Sequence, residues 1–213
     1  MHQPKLRANF PKLIYYNAKI SGSVYPFIGL VYVILICLMF NLRFVDFKEM
    51  AQIGEMYVSL LGIFMLPHIT MPEQTDSVHE TIFPRSVRHV YMVLIRIVLS
   101  VGLLGIMVAA IALLAYGQGG QFSFPEMVGG VWISTVLLGA VGLTIATITG
   151  NIAAAYIGSF MYYVLELFTK GKYTGDLYLF SLLDGRFESG KFVLAVVALV
   201  LLAFNLWVIW RRS

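Results

Sequence analysis

Residues 90–116 read VYMVLIRIVLSVGLLGIMVAAIALLAY, with Arg96 as the one charged side chain. A helix rises 1.5 Å per residue, so about 20 apolar residues cross a hydrocarbon core of about 30 Å. This stretch exceeds that length, and water is a poor solvent for it. The rest of the chain has the same character. Of 213 residues, 59% are hydrophobic and 12% are charged, against about 25% charged in a soluble domain. Lipid must therefore be part of the solvent.

Working outward from 90–116, five further apolar runs appear: 23–40, 50–69, 127–149, 152–168 and 192–210. The expected fold class is an all-α integral membrane protein with six transmembrane helices in a single transmembrane domain, 1–213. Thr149-Gly150-Asn151 separates two of the runs, and Gly-Asn is a turn signal. The runs on either side should form a tight helical hairpin. The first twenty residues are basic and lack an apolar core before a small-residue cleavage site. The first span is expected to serve as an uncleaved anchor.

Six spans put both termini on one side. Lys5, Arg7, Lys12 and Lys19 precede the first span with no acid among them, and Arg211-Arg212 follow the last. Arg85 and Arg88 lie between spans two and three. The positive-inside rule makes these segments cytoplasmic, an N-in/C-in arrangement. Trp207 and Trp210 fit an interfacial anchor. The net charge of +4 is spread over loops and termini, with no basic patch interleaved with stacking aromatics, so no nucleic-acid partner is expected. Membrane lipid is.

Three segments outside the spans carry information. Asn9 and Pro11 start a helix, and Phe10, Leu13 and Ile14 share one face of it, so 9–21 is expected to lie on the cytoplasmic membrane surface as an amphipathic helix. Residues 72–89 are the most polar stretch, with Ser77 and Glu80 at capping-box spacing. Residues 170–191 are long yet apolar, and are expected to form a short re-entrant or interfacial helical pair.

Enzymatic signatures are weak. His79-Glu80 opens like a zinc-protease motif, but Phe83 stands where the second histidine belongs. His2, His68, His79 and His89 are not spaced as metal ligands, so no metal site is expected. Gly185 to Lys191 matches half of a phosphate loop. Phe192 occupies its Ser/Thr position and no strand precedes it, so the match is rejected. The single cysteine, Cys37, sits inside an apolar run. Charged groups within spans are better leads, because burial in hydrocarbon is costly. Glu55 has Ser59 and Gly62 following on its face. Glu166 is expected to pair locally with Lys170 at i+4. Arg96 is near enough to the cytoplasm to snorkel. Gly150, Ala154 and Gly158 form a small-residue ladder at four-residue spacing, with Tyr156, Phe160 and Tyr163 on another face.

A surface helix, six spans, a polar capped loop between spans two and three, a tight turn between spans four and five and an apolar outer loop before span six make a recognisable plan. With Glu73, Glu80 and Pro84-Arg85-Ser86 in the second loop, the chain resembles the permeases of type-2 ABC exporters, the ABC-2 family. The resemblance implies that 9–21 is a connecting helix, that 72–89 holds a coupling helix and that 170–191 is an extracellular re-entrant pair. It implies no cofactor on this chain, with ATP and magnesium on a partner ABC ATPase present in two copies, and a second permease subunit, identical or related. It assigns ATPase coupling to Glu73, Gln74, Thr75, Asp76, Ser77, His79, Glu80, Phe83 and Arg85. Since spans two and five line the cleft in that family, Glu55, Ser59, Tyr156, Phe160 and Tyr163 are candidates for a translocation path. The implied function is export of an amphipathic peptide, lipid or drug-like cargo across a plasma (inner) membrane, bacterial in type, by a permease that is not itself an enzyme. The competing reading is a non-transporting membrane scaffold, immunity or sensor protein.

Overall fold

Regular helix is the economical conformation for a chain in hydrocarbon, because it satisfies its own backbone groups. The computed structural model describes residues 24–73, 89–184 and 189–212, and among these the chain is helical with no strand. The apolar runs become α1 (Val24–Met39), α2 (Phe47–Thr70), α3 (His89–Gly117), α4 (Phe124–Thr149), α5 (Ile152–Thr169) and α6 (Ser189–Arg212). Five of these, α2 to α6, are long and apolar enough to cross a membrane. The described part of the first run, α1, has 16 residues and is shorter than a span. The expectations for 9–21, and for Gln74, Thr75, Asp76, Ser77, His79, Glu80, Phe83 and Arg85, lie outside the described residues. Glu73 ends a 3-10 run, Pro67–Glu73.

α2 begins at Phe47, three residues before the apolar run suggests. Asp46 is its cap: the carboxylate accepts from the Glu49 N–H at 2.7 Å, and the Asp46 N–H donates to Glu49 Oε2 at 3.3 Å. This reciprocal box satisfies two donors that the first turn leaves open. α2 is not one regular helix. It passes through a π segment, Ile53–Tyr57, and a 3-10 turn, Val58–Leu60, before regular helix resumes at Leu61–Met65.

α2 and α4 are the interior helices. In the most apolar window of each, 72% and 67% is buried, against 39%, 22% and 28% for α3, α5 and α6. α4 packs against α2, α3, α5 and α6. Side-chain bonds tie it to its neighbours: Trp132 Nε1 donates to the Val101 carbonyl of α3 at 3.0 Å, Asn205 Nδ2 of α6 donates to Thr144 Oγ1 at 2.8 Å, and Lys191 Nζ of α6 donates to Ser134 Oγ at 2.7 Å. Glycines set the closest crossing. A Cβ on Gly139 would lie 2.7 Å from the Gly62 carbonyl oxygen, and one on Gly62 would overlap the Thr135 carbonyl.

α4 and α5 form the expected hairpin. Gly150 closes α4 at φ 67, a left-handed conformation that glycine adopts without strain. The Asn151 side chain then accepts from the N–H groups of Ala153 and Ala154 at 2.9 and 3.3 Å and starts α5. Gly150 is thus a cap, with open space where its Cβ would be, and not the first rung of a packing ladder. The buried face of α5 is Ala155, Ser159, Tyr163 and Glu166; Gly158 beside it packs on Ile145.

At one end of the bundle the connections are tied together. Gln121 N–H donates to the Val45 carbonyl at 2.9 Å and Phe44 N–H to the Gln118 carbonyl at 3.3 Å. Residues 171–184 lie at this same end, where Ser181–Asp184 meets the start of α2, and include two 3-10 turns, Gly175–Leu177 and Ser181–Asp184.

Because backbone atoms cannot step aside, Gly62→Ala should force α2 and α4 apart and destabilise the fold by about 1–3 kcal/mol, the usual range for overpacking. Gly102→Ala, on α3 where a Cβ meets nothing, should be neutral or slightly stabilising. Thermal unfolding of the two variants in detergent measures the contrast.

Candidate functional site

The site grows from the irregular part of α2. Glu55 lies in the π segment, eight residues past Phe47, and Ser134 lies ten residues past the start of α4. At 1.5 Å per residue those depths are about 12 and 15 Å. Lys191 is the third residue of α6. All three side chains are fully buried. A lysine ammonium has three donors and no acceptor. Here all three are used: on Glu55 Oε1, on Ser134 Oγ at 2.7 Å and on the Leu179 carbonyl at 2.7 Å. The second carboxylate oxygen of Glu55 accepts the Leu182 N–H at 3.0 Å. Ser134 Oγ also donates to the Leu179 carbonyl at 3.1 Å.

The pair therefore holds the 170–184 segment inside the bundle. Leu179, Phe180 and Leu182 are completely buried. Glu166 on α5 adds a second grip. It is also fully buried, and its Oε2 accepts from Thr174 Oγ1 at 3.1 Å and from the Leu179 N–H at 3.4 Å. The expected Glu166–Lys170 ion pair does not form. Lys170 leaves the helix with φ 48 as an exposed C-cap, which turns the chain back so that Glu166 faces the segment and not its i+4 neighbour. Tyr178, outside the helices, has its phenol held above the ordinary value, first by burial and then by the negative charges of Asp184, Glu55 and Glu166.

Three hydroxyls serve the irregular turn of α2, those of Ser59, Tyr163 and Tyr32. Ser59 Oγ donates to the Glu55 carbonyl, and Tyr163 OH donates to the Met56 carbonyl at 2.6 Å. Glu55, Ser59 and Tyr163 thus meet, and all are buried. Phe160 stacks on Tyr163 with ring centroids 6.0 Å apart and is half exposed on the outer face of α5. Tyr156 lies apart from them. It hydrogen-bonds His68 Nε2, and the His68 ring stacks on Tyr25 at 3.4 Å. Phe64 contacts both Tyr156 and Tyr32, and Tyr32 OH donates to the Tyr57 carbonyl at 3.0 Å. Tyr57 in turn stands against Phe40. The result is an aromatic ladder along α1, α2 and α5.

Lys191 was not among the residues singled out from sequence. It sits in Gly190-Lys191, the tail of the rejected phosphate-loop match, and reads as a loop charge. Burial against Glu55 leaves its ammonium no room for a phosphate. Arg96 is buried rather than extended to water, and its Nη1 lies 3.5 Å from the Ile69 carbonyl at the far end of α2. Among the described residues, no three His, Cys, Asp or Glu side chains are placed to share a metal ion.

Removing one partner of a buried pair strands the other charge and costs about 3–5 kcal/mol, whereas replacing both by apolar groups is often neutral. Lys191→Met and Glu55→Leu should each destabilise the protein by that amount. The double variant should recover most of the loss, apart from the bonds to Leu179 and Leu182. A double-mutant cycle by thermal unfolding in detergent checks the coupling, and simple additivity would refute it.

No family model, no curated protein and no solved structure matches the chain.

Proposed function

We propose that this chain is the permease subunit of an ATP-driven exporter of the ABC-2 type, moving an amphipathic peptide, lipid or drug-like cargo out of the cell. The observation that carries the reading is the aromatic ladder. Tyr25, His68, Tyr156, Phe64, Tyr32 and Tyr57 make a continuous surface on α1, α2 and α5 that mixes ring faces with hydroxyl and imidazole groups. Aromatic side chains offer an apolar body with a polar tip, which suits a cargo that is itself part apolar and part polar. In this reading α1 completes six crossings, both termini are cytoplasmic, and the membrane is the plasma (inner) membrane of a bacterium.

The chain supplies the path, and its partners supply the energy. Two ABC ATPase subunits would bind ATP and magnesium and close. They would push on the loop that begins at Glu73 and runs to Arg85, and tilt this chain against a second permease, identical or related. Such a cycle is alternating access biased by nucleotide. The driving interaction is carboxylate and helix-end contact at Glu73 and Glu80, with Phe83 filling a pocket on the ATPase.

Charge reversal tests the coupling directly. Glu73→Lys with Glu80→Lys should abolish co-purification of the ATPase and lower transport-coupled ATP hydrolysis at least tenfold, while the permease itself still inserts and folds. Association and hydrolysis both unchanged would defeat the reading, and a chain that never brings down an ATPase would favour the scaffold, immunity or sensor alternative.

A further inference from the structure

We propose that residues 171–184 are a strap, latched across the end of the bundle by the Lys191–Glu55 pair, and that the strap lifts as one unit when the pair separates. The inference concerns this chain's own bundle and does not rest on the permease reading.

Three observations carry it. First, the strap is fastened to the bundle by side chains of other elements, while its own backbone bonds only close local turns. Its two 3-10 turns are short, and its backbone groups are gripped from outside: the Leu177 carbonyl by Tyr162, the Leu179 carbonyl by Lys191 and Ser134, the Leu179 N–H by Glu166 and the Leu182 N–H by Glu55. Three of the grips meet at Leu179, where Lys191 also reaches Glu55, so losing the central one loosens the others. Second, one end of the strap is built to pivot. Lys170, Gly171 and Gly175 have φ of 48, 74 and 54, left-handed turns that can reorient the chain without bending α5. Third, the latch is ionic where an apolar pair of similar volume would hold at least as well. An apolar contact, once opened, exposes surface that water disfavours. Two ions, once separated, regain their hydration. An ion pair therefore lowers the free energy of the open state relative to an apolar contact, which suits a reversible closure. The latch also stands on the π segment of α2, and such single-turn irregularities mark functional positions.

The test uses the full chain in lipid nanodiscs, with Cys37→Ala to remove the native thiol. Single cysteines are placed at Leu179→Cys, Ser181→Cys and, as a buried control on α4, Ala140→Cys, all positions that are buried in the closed fold. The readout is the rate of labelling by a membrane-impermeant maleimide. A strap that lifts as a unit gives positions 179 and 181 slow rates that agree within about twofold. Glu55→Gln should raise both together at least tenfold and leave position 140 unlabelled. Ser134→Ala, which removes one of the three acceptors of Lys191 and is gentler on folding, should raise both about threefold. Rates that differ strongly between 179 and 181 would show fraying and overturn the proposal. So would rates unchanged by both variants, or an increase at position 140 to match, which would mean that the whole bundle opens.

Discussion

Hydrocarbon cannot satisfy a backbone amide or carbonyl, so any stretch at membrane depth that is not a regular helix must find partners inside the protein. The interior of a helix bundle is as poor a solvent: residues 171–184 are not regular α-helix yet bury Leu179, Phe180 and Leu182, and the Lys191–Glu55 pair answers the constraint. Each ion neutralises the other's charge, and each has bonds left for the segment. Lys191 holds the Leu179 carbonyl and Glu55 holds the Leu182 N–H. Neither residue could do this alone, because an unpaired buried charge would cost more than the backbone bond it makes. The pairing of α2 with α6 and the seating of the strap are thus a single arrangement.

The same constraint shapes α2. Its π and 3-10 turns leave carbonyl groups poorly matched within the helix, and three hydroxyls supply donors, Ser59 to residue 55, Tyr163 to residue 56 and Tyr32 to residue 57. The irregular turn aims Glu55 at Lys191. Beyond it, the bare backbone at Gly62 lets α4 approach closely enough to seal the interior side. The opposite side of α2 carries Tyr57, Phe64 and His68 toward α1 and α5. One interrupted helix therefore presents an ionic latch near one end and an aromatic ladder along its length, and a shift of α2 would move both.

Glu166 shows how a short-range rule gives way. An i+4 lysine is a sound helix partner in water, and Glu166-x-x-x-Lys170 has the right order. At the end of a membrane helix the competition is different. The buried Leu179 N–H needs an acceptor and the partly buried Thr174 hydroxyl shares it, while Lys170 can be solvated at the exposed C-cap. Satisfying these donors is worth more than a solvated ion pair of less than about 1 kcal/mol.

Length and hydropathy were sufficient to read α2 to α6 from sequence, because crossing hydrocarbon is a one-dimensional requirement met by about 20 consecutive apolar residues. The hairpin at Gly150-Asn151 was equally legible, since a left-handed cap and an Asx cap are local devices. The capping box Asp46-x-x-Glu49 was legible in principle and would have placed the start of α2 correctly. Glu55 could be marked as unusual from sequence, because a charge within a span is expensive wherever it points. Its partner could not. Residues 55 and 191 are 136 positions apart, and nothing local distinguishes Lys191 from a loop lysine. Pairing across that distance, the interruption of α2 and the descent of 171–184 into the bundle were decided by tertiary structure alone. They exist because buried polar groups, wherever they lie along the chain, must find one another when the surrounding medium offers them nothing.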